Sequence, residues 1–330
     1  MYDVITFGSA TRDVFIKSKQ FDVIKHKSFI TGQGIGLNLG SKIYLDDMFF
    51  ASGGGGTNAS ATFAKQGLRT AYVGKVGNDP GGRAIKDELE DLKIKCFLGE
   101  DNKRQTNYSV ILSAPNKGRT ILVYYGAGHF LTKKDIPFDK LKAKWFYIAG
   151  LSGQSAKMLF PIVSFAKKNN IKVALDPSAA QISMGFKKMK KILAKLDILK
   201  LNQEEAAKLV GLPYKDENAI FRKLDKFMPG IAVMTKGPEG VLVSDGKEVF
   251  KAGTFKEKRH VDRTGAGDAF GSGFVAGWIY SGKIEEAIRW GSANGTSIVE
   301  KFGAKNGILS KNQLKKEKRW RNLKITKYKL

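Results

Sequence analysis

The strongest case for chemistry in this chain lies in the run Asp262-Arg263-Thr264-Gly265-Ala266-Gly267-Asp268-Ala269-Phe270. It reads as a strand-like lead-in, three small residues, and an acid that opens an apolar helix. Small residues let a ligand approach the backbone closely, and the N–H groups of a first helical turn, backed by the helix dipole, attract anions. A carboxylate at Asp268 can accept the proton of an attacking hydroxyl. The N–H groups of Gly265, Ala266 and Gly267 would meanwhile stabilise charge developing on a transferred phosphoryl group. The plainer alternative is an Asp that only complements the dipole of its own helix.

A second run, Ser52-Gly53-Gly54-Gly55-Gly56-Thr57-Asn58-Ala59-Ser60, also leads into an apolar helix. Four glycines leave no side chain between a ligand and the backbone, so a polyhydroxylated substrate could lie against Gly54 and Gly55. Asn58 would supply one donor and one acceptor from the first helical turn. No Gly-Lys-Ser or Gly-Lys-Thr closes this run, so it is not a P-loop. Gly32 to Gly36 lacks the helix and acceptor acid of a dinucleotide fingerprint.

The elements that must position these residues alternate. From residue 130 onward, strand-like runs (144–150, 171–175, 198–201 and 231–235) are separated by helical patterns (155–169, 183–194 and one from Gln203). This is the pattern of βαβ units and a mostly parallel sheet. A hairpin joins 241–243 to 248–250 through Asp245-Gly246, and the last two long helices start near Asp268 and Ile284. Two regions break the alternation: 14–52, with short strand-like pieces between Gly-rich turns, and 105–125, a hairpin of 106–113 and 119–125 around Pro115-Asn116-Lys117-Gly118. Strands outside such a core make a separate small sheet, and over the mouth of the main sheet it would act as a lid that excludes water. No repeat or low-complexity linker interrupts the chain, so 1–330 is read as a single domain ending in a basic extension at 310–330.

Taken together, Gly53-Gly54 with Gly56, Asn58 and Ser60, followed by Gly67 and Gly77, resemble the first signature of the PfkB (ribokinase-like) carbohydrate kinases, and Asp262 to Asp268 resembles the second. The resemblance runs in the right order up to about residue 309. It implies an α/β, ribokinase-like fold: a mostly parallel sheet flanked by helices in three layers, with a small β-sheet lid. It also implies ATP- and Mg2+-dependent phosphorylation of a hydroxymethyl group on a sugar or sugar-like substrate. By that resemblance Asp268 is the catalytic base, with Gly265, Ala266 and Gly267 as the anion hole, and Asp13 accepts hydrogen bonds from substrate hydroxyls. Asn202, in an Asn-x-x-Glu, lies near the phosphates, and Glu205 lies near magnesium through water. Thr235, Lys236, Gly237 and Gly240 resemble a nucleotide-binding segment, and Asn294 the lining of the adenine pocket. Asp262 and Thr264, with the region of Gly303, resemble a monovalent-cation loop that would take K+. Asp176 is an auxiliary magnesium or phosphate contact, at the carboxyl end of a strand where ligands gather. Homodimerisation through exposed lid edges is a further expectation.

The chain departs from the family pattern in three places. Arg263 replaces a small or hydroxyl residue and either alters the cation loop or adds a phosphate contact. Ser178 replaces the Asn of the Asp-x-Asn that some members carry, and Leu151 stands where ribokinases have an acidic substrate contact. Ribose is therefore not singled out, and a nucleoside kinase with a more aromatic lid (Phe49, Phe50, Tyr124, Tyr125) stays open.

The net charge of +26 calls for an account, because such a field attracts polyanions and anionic substrates alike. It comes from 46 Lys against 11 Arg spread along the chain, whereas nucleic-acid readout favours Arg. A Lys-rich surface is the reading, with a basic RNA-binding protein on a kinase-like fold as the rival from another class. The exception is 311–330, where nine Lys and Arg face Glu317 alone. It reads as an exposed extension. One cysteine, Cys96, in a strand-like run, excludes an internal disulfide and reads as a packed core thiol. The acidic, strand-like N-terminus is not a signal peptide, no stretch approaches membrane-spanning length, and the cytoplasm is the expected location.

Overall fold

The computed structural model describes residues 1–114 and 118–330; the expected turn at Pro115, Asn116 and Lys117 lies outside the described residues. In chain order the strands are β1 (Tyr2–Phe7), β2 (Thr11–Lys17), β3 (Asp22–Lys25), β4 (Gln33–Gly36), β5 (Asp47–Gly53), β6 (Thr70–Gly77), β7 (Lys95–Asp101), β8 (Asn107–Ala114), β9 (Gly118–Tyr124), β10 (Ala143–Ile148), β11 (Lys172–Leu175), β12 (Ile198–Asn202), β13 (Ile231–Thr235), β14 (Val241–Ser244), β15 (Glu248–Ala252) and β16 (Ile325–Lys329). The helices are α1 (Gly55–Lys65), α2 (Pro80–Asp91), α3 (Leu159–Lys168), α4 (Ala179–Ile182), α5 (Phe186–Leu193), α6 (Gln203–Val210), α7 (Glu217–Asp225), α8 (Ala266–Ser281), α9 (Ile284–Val299) and α10 (Lys311–Lys316).

Ten strands form one sheet in the order β16-β15-β14-β13-β12-β11-β10-β1-β6-β7. Pairing is parallel from β7 through to β13 and antiparallel from β13 to β16. The central strands read as unbroken apolar runs because both faces are covered. Phe146 and Ile148 pack on one side with Ile162 of α3, Leu193 of α5 and Phe221 of α7. Trp145 and Tyr147 pack on the other with Phe63 of α1, Phe274 of α8 and Ile288 of α9. This is the expected three-layer arrangement. On α8, a Cβ added at Gly277 would stand 2.9 Å from Cα of Ala287, so its small residues let α8 and α9 lie close.

The breaks in the alternation become a second sheet, β5-β2-β8-β9, with β2 and β8 parallel and the outer pairs antiparallel. Its strands overlap the segments 14–52 and 105–125, with β2 starting before the first of them, at Thr11, and β5 ending just past it, at Gly53. Side chains alternate along β5: Phe49 stacks on Phe15 at 4.5 Å and meets Phe302 edge-on at 6.0 Å, while Phe50 is half exposed.

Three expectations are corrected. The helix read over 183–194 starts later, at Phe186, because residues 183–185 turn the chain, with Gly185 at φ +83°, after the separate one-turn α4 that Ser178 caps. The lead-in to Asp262 is not a strand; the N–H groups of Val261 and Asp262 both turn to the Val299 carbonyl. The third concerns the tail, which is not a loose extension. α10 and β16 fold back, β16 pairs with β15 at the sheet edge, and Trp320 is buried edge-on against Phe255. Arg319 forms an ion pair with Glu300, which also accepts from the Lys258 N–H. Cys96 lies on β7, partly buried against the cluster of Tyr72 and Ile85, and burial pushes its thiol up to about 12. No helix among the described residues is long and apolar enough to cross a membrane. Replacing Trp320 by Ala is expected to cost about 3–5 kcal/mol in urea unfolding; a cost near zero would mean that the tail is held loosely.

Candidate active site

The parallel strands deliver their carboxyl ends to one edge of the sheet, where ligands gather in this class of fold. Asp176 follows β11, Asn202 ends β12 and Thr235 ends β13. Above this edge, the Gly-rich turns before α1 and α8 meet. Asn58 Nδ2 donates to Asp268 Oδ2 at 2.8 Å across 210 residues of sequence. Asn58 Oδ1 is buried with no hydrogen-bond partner, an acceptor left over at the junction.

Each turn is shaped by glycine. Gly265 takes φ +79°, and a Cβ there would stand 2.6 Å from Cβ of Ala304. Gly54 takes φ +94°, with Ser9 from the β1–β2 turn receiving the N–H groups of Gly55 and Gly56 on its Oγ and carbonyl. No side chain caps α8. The Ala266 N–H is already turned to the Arg263 carbonyl at 3.2 Å, so Gly267 offers the first uncommitted N–H of that helix.

Asp13, on β2, is buried under the Gly-rich turn, where a Cβ on Gly53 would fall 2.1 Å from its Oδ2. Burial raises its carboxyl to about 6, against the pull of a hydrogen bond from Ser109 and the charges of Lys305 and Arg12; Asp262 adds to the rise. Below the first turn of α8, Asp176 is buried with Lys200, whose Nζ lies 3.0 and 3.1 Å from the two carboxylate oxygens. Tyr147 donates to Asp176 at 3.5 Å. Burial lifts Asp176 above the carboxylate range and Lys200 opposes it, while Asp268 and Glu205 add to the rise. For Lys200, burial works against the ammonium, but Asp176, Asp268 and Glu205 outweigh it, so it is a cation.

The remaining expected residues divide. Asn202 and Glu205 cap α6 reciprocally: Asn202 Oδ1 accepts from the Glu205 N–H and Glu205 Oε2 from the Asn202 N–H, both at 2.8 Å. Glu205 nevertheless lies near enough to influence Asp176 and Lys200, with Oε1 outside the cap. Among the described residues no group of three or more His, Cys, Asp or Glu forms a metal cage. Mg2+ fits such a place, since it is usually held by one or two carboxylates, waters and substrate phosphates.

Thr235, Gly237 and Gly240 line a cavity of about 160 Å³ with Gly267, Phe270 and Thr296. Arg263, one of the departures from the family pattern, lines the same cavity. Lys236 does not line it; its Nζ is engaged by Glu217 and Glu239 at 2.7 and 2.9 Å. Asn294 is also displaced from its expected place. It is fully buried, donates to the Trp290 carbonyl and accepts from the Leu309 N–H, while its helix neighbours Ser292, Gly295 and Thr296 face the cavity. Asp262 and Thr264 bond to each other and to Arg119 of β9.

Sequence reasoning missed Lys200, Lys305, Ser9 and Arg119. For Lys200 there was a signal, a lysine inside the apolar run Ile198-Leu199-Lys200-Leu201. Lys305 is almost wholly buried and donates to the Ser52 carbonyl and to Glu88.

A mostly parallel sheet with a small β-sheet over its carboxyl edge, and an acid at an open helix N-terminus, define a phosphotransferase architecture. The pfkB family carbohydrate kinase model matches residues 4–312, and the chain belongs to that family of kinases. It is 28% identical over 274 residues to a ribokinase of Haemophilus influenzae, covering 80% of this chain and 86% of the relative. It is 25% identical over 269 residues to a nucleoside kinase of Methanothermobacter thermautotrophicus, covering 78% and 81%. In fold it is similar to Arabidopsis thaliana ribokinase complexed with ribose and ATP, at a TM-score of 0.79, 20% identity and coverage of 97% and 99%.

On the expectation that Asp13 meets the acceptor's hydroxyls, its raised carboxyl predicts a pH dependence. An acid lifted to about 6 is ionised above that pH and loses its two-acceptor character below it. The KM for the phosphate acceptor is expected to rise as pH falls through about 6, and Asp13→Asn to abolish that rise; a profile flat from about pH 5 to 8 would contradict it.

Proposed function

We propose that the chain transfers the γ-phosphoryl group of ATP to a hydroxymethyl group of a sugar or sugar-like acceptor, in the cytoplasm. The observation that carries this reading is the Asn58–Asp268 bond, which joins the two Gly-rich turns at the carboxyl edge of the sheet. The acceptor lies against Gly54 and Gly55, where Asp13 and the unpartnered Asn58 Oδ1 accept hydrogen bonds from its hydroxyls. Asp268 receives the proton of the attacking hydroxyl. Gly267, with Gly265 and Ala266 shaping the turn, directs helix N–H groups at the charge that develops.

Thr235, Gly237, Gly240 and Phe270 hold the nucleotide, and Arg263 is assigned to its phosphates. Asn202 and Glu205, with Asp176 held by Lys200, form the acidic and polar floor suited to hydrated Mg2+. When bound, ATP supplies the phosphoryl group and Mg2+ neutralises its oxygens. A lysine held as a cation beneath the first turn of α8 adds positive charge where phosphate oxygens gather.

A nucleoside acceptor is the second reading, supported by the Methanothermobacter relative and by Tyr125 stacked on His129 at 4.1 Å. The other aromatic candidates do not add to it: Phe49 is spent on Phe15 and Phe302, and Phe50 and Tyr124 are half exposed. The rival of RNA binding through a free basic tail loses support from the pairing of β16 and the burial of Trp320. Self-association through the lid is supported by β9, an edge strand with Leu122 and Tyr124 half exposed.

Asp268→Asn is expected to lower kcat by about two to four orders of magnitude with ATP affinity little changed. Unchanged turnover would remove Asp268 from the role of base. Arg263→Ala is expected to raise the KM for ATP by about threefold to tenfold, measured by ADP release at saturating acceptor; an unaltered KM would take Arg263 off the phosphates.

A further inference from the structure

Arg119 stands near the turn end of the lid arm, on β9, and its guanidinium leaves the lid for the anion-hole loop. Nη1 donates to Oδ1 of Asp262 and, at 2.8 Å, to Oγ1 of Thr264. Asp262 is 5% exposed. Its Oδ1 also accepts from the Thr264 N–H at 3.1 Å and from Thr264 Oγ1 at 2.9 Å, while Oδ2 is buried with no hydrogen-bond partner. These bonds build the turn that delivers Gly265 at its positive φ and so aims the first N–H groups of α8.

A buried carboxylate is stable only with a compensating charge. Among the described residues the ion-pair partner of Asp262 is Arg119. Lys305, the other buried cation nearby, is directed to the Ser52 carbonyl and Glu88, and Arg263 lines the nucleotide cavity. The family resemblance put Asp262, Thr264 and the Gly303 region in a loop for a monovalent cation. The donor set departs from that role, because Asp262 Oδ1 and Thr264 Oγ1 both face a guanidinium. Two further contacts bring the same end of the lid onto the loop after α9: Phe49 edge-on to Phe302, and Lys17 Nζ 5.6 Å from the centre of that ring.

We propose that Arg119 is a positioning residue, acting through Asp262, that couples closure of the lid to ordering of the anion hole. With the lid down, the guanidinium supplies the charge that the loop requires, and K+ is dispensable. With the lid up, Asp262 loses its cation and the turn before Gly265 loosens. The proposal rests on the kinase reading for its kinetic consequences, but the contact itself can be tested without turnover.

The experiment compares the full chain with Arg119→Ala and Arg119→Lys. Hydrogen exchange of β8, β9 and residues 262–268, without substrate, is expected to be about tenfold faster in Arg119→Ala. With an accepted substrate, kcat is expected to fall about tenfold while the acceptor KM stays within about threefold. Millimolar guanidinium or K+ is expected to restore about threefold of that loss, and Arg119→Lys part of it, while K+ in place of N-methylglucamine changes the unsubstituted protein by less than about twofold. Unchanged exchange in Arg119→Ala would overturn the latch. So would a loss of kcat that neither a cation nor Arg119→Lys restores, or K+ activation of the unsubstituted protein by about tenfold or more. If no acceptor is phosphorylated, the proposed function fails, and the exchange comparison still decides the latch.

Discussion

Asn58 and Asp268 are 210 residues apart, and the 2.8 Å bond between them exists only because α1 and α8 start side by side over the carboxyl edge of one sheet. Much of the site depends on that meeting. It requires Gly54 and Gly265 in backbone conformations that a Cβ would strain, Ser9 to receive the first N–H groups of α1, and an α8 with no side-chain cap. A capped α8 would be the more ordinary helix, because an open N-terminus leaves donors unsatisfied. Leaving it open trades local stability for an electrostatic site, as is common where charge develops during a reaction.

The charges around this meeting are arranged in depth. Asp268 is at the surface of the cleft, and Lys200 and Asp176 are buried beneath it, with Tyr147 against the carboxylate. A buried pair of this kind contributes little net stability, since desolvation offsets the attraction. Its value lies in fixing a cation below the helix start. The overall charge of +26 acts at longer range, favouring the approach of anions. Part of that charge is also structural: Arg319 holds Glu300, one residue past Val299, whose carbonyl receives the N–H groups of Val261 and Asp262. The basic tail, which begins where the family match ends, thus braces the chain leading into the anion-hole loop.

What could be read from the sequence follows the range of the interactions. The two Gly-rich turns, the alternation of the parallel core and the small second sheet were legible because each is written in local residue types and periods. The proposed roles of Asn202 and Glu205 look the same in sequence as an ordinary capping box, and the structure contains that box. Asn294 was misplaced by a residue or two on α9: a helix puts adjacent residues about 100° apart, and the face toward the cavity belongs to Ser292, Gly295 and Thr296. Arg119, Lys305 and Ser9 carried no local signal, because their partners lie 46 or more positions away in sequence. The tail was misread because its lysines mask the short, largely exposed edge strand Ile325–Lys329 and the anchoring Trp320.

The most direct test of the account is the identity of the product. Purified protein incubated with Mg2+ and ATP against ribose, fructose, 2-keto-3-deoxygluconate, adenosine and cytidine would be followed by ADP release, with the phosphorylated carbon assigned by phosphorus NMR. The account predicts ATP-dependent transfer to the hydroxymethyl oxygen of at least one sugar, in preference to the nucleosides. ADP formation that never depends on an acceptor, or phosphate placed only on a ring hydroxyl, would contradict it.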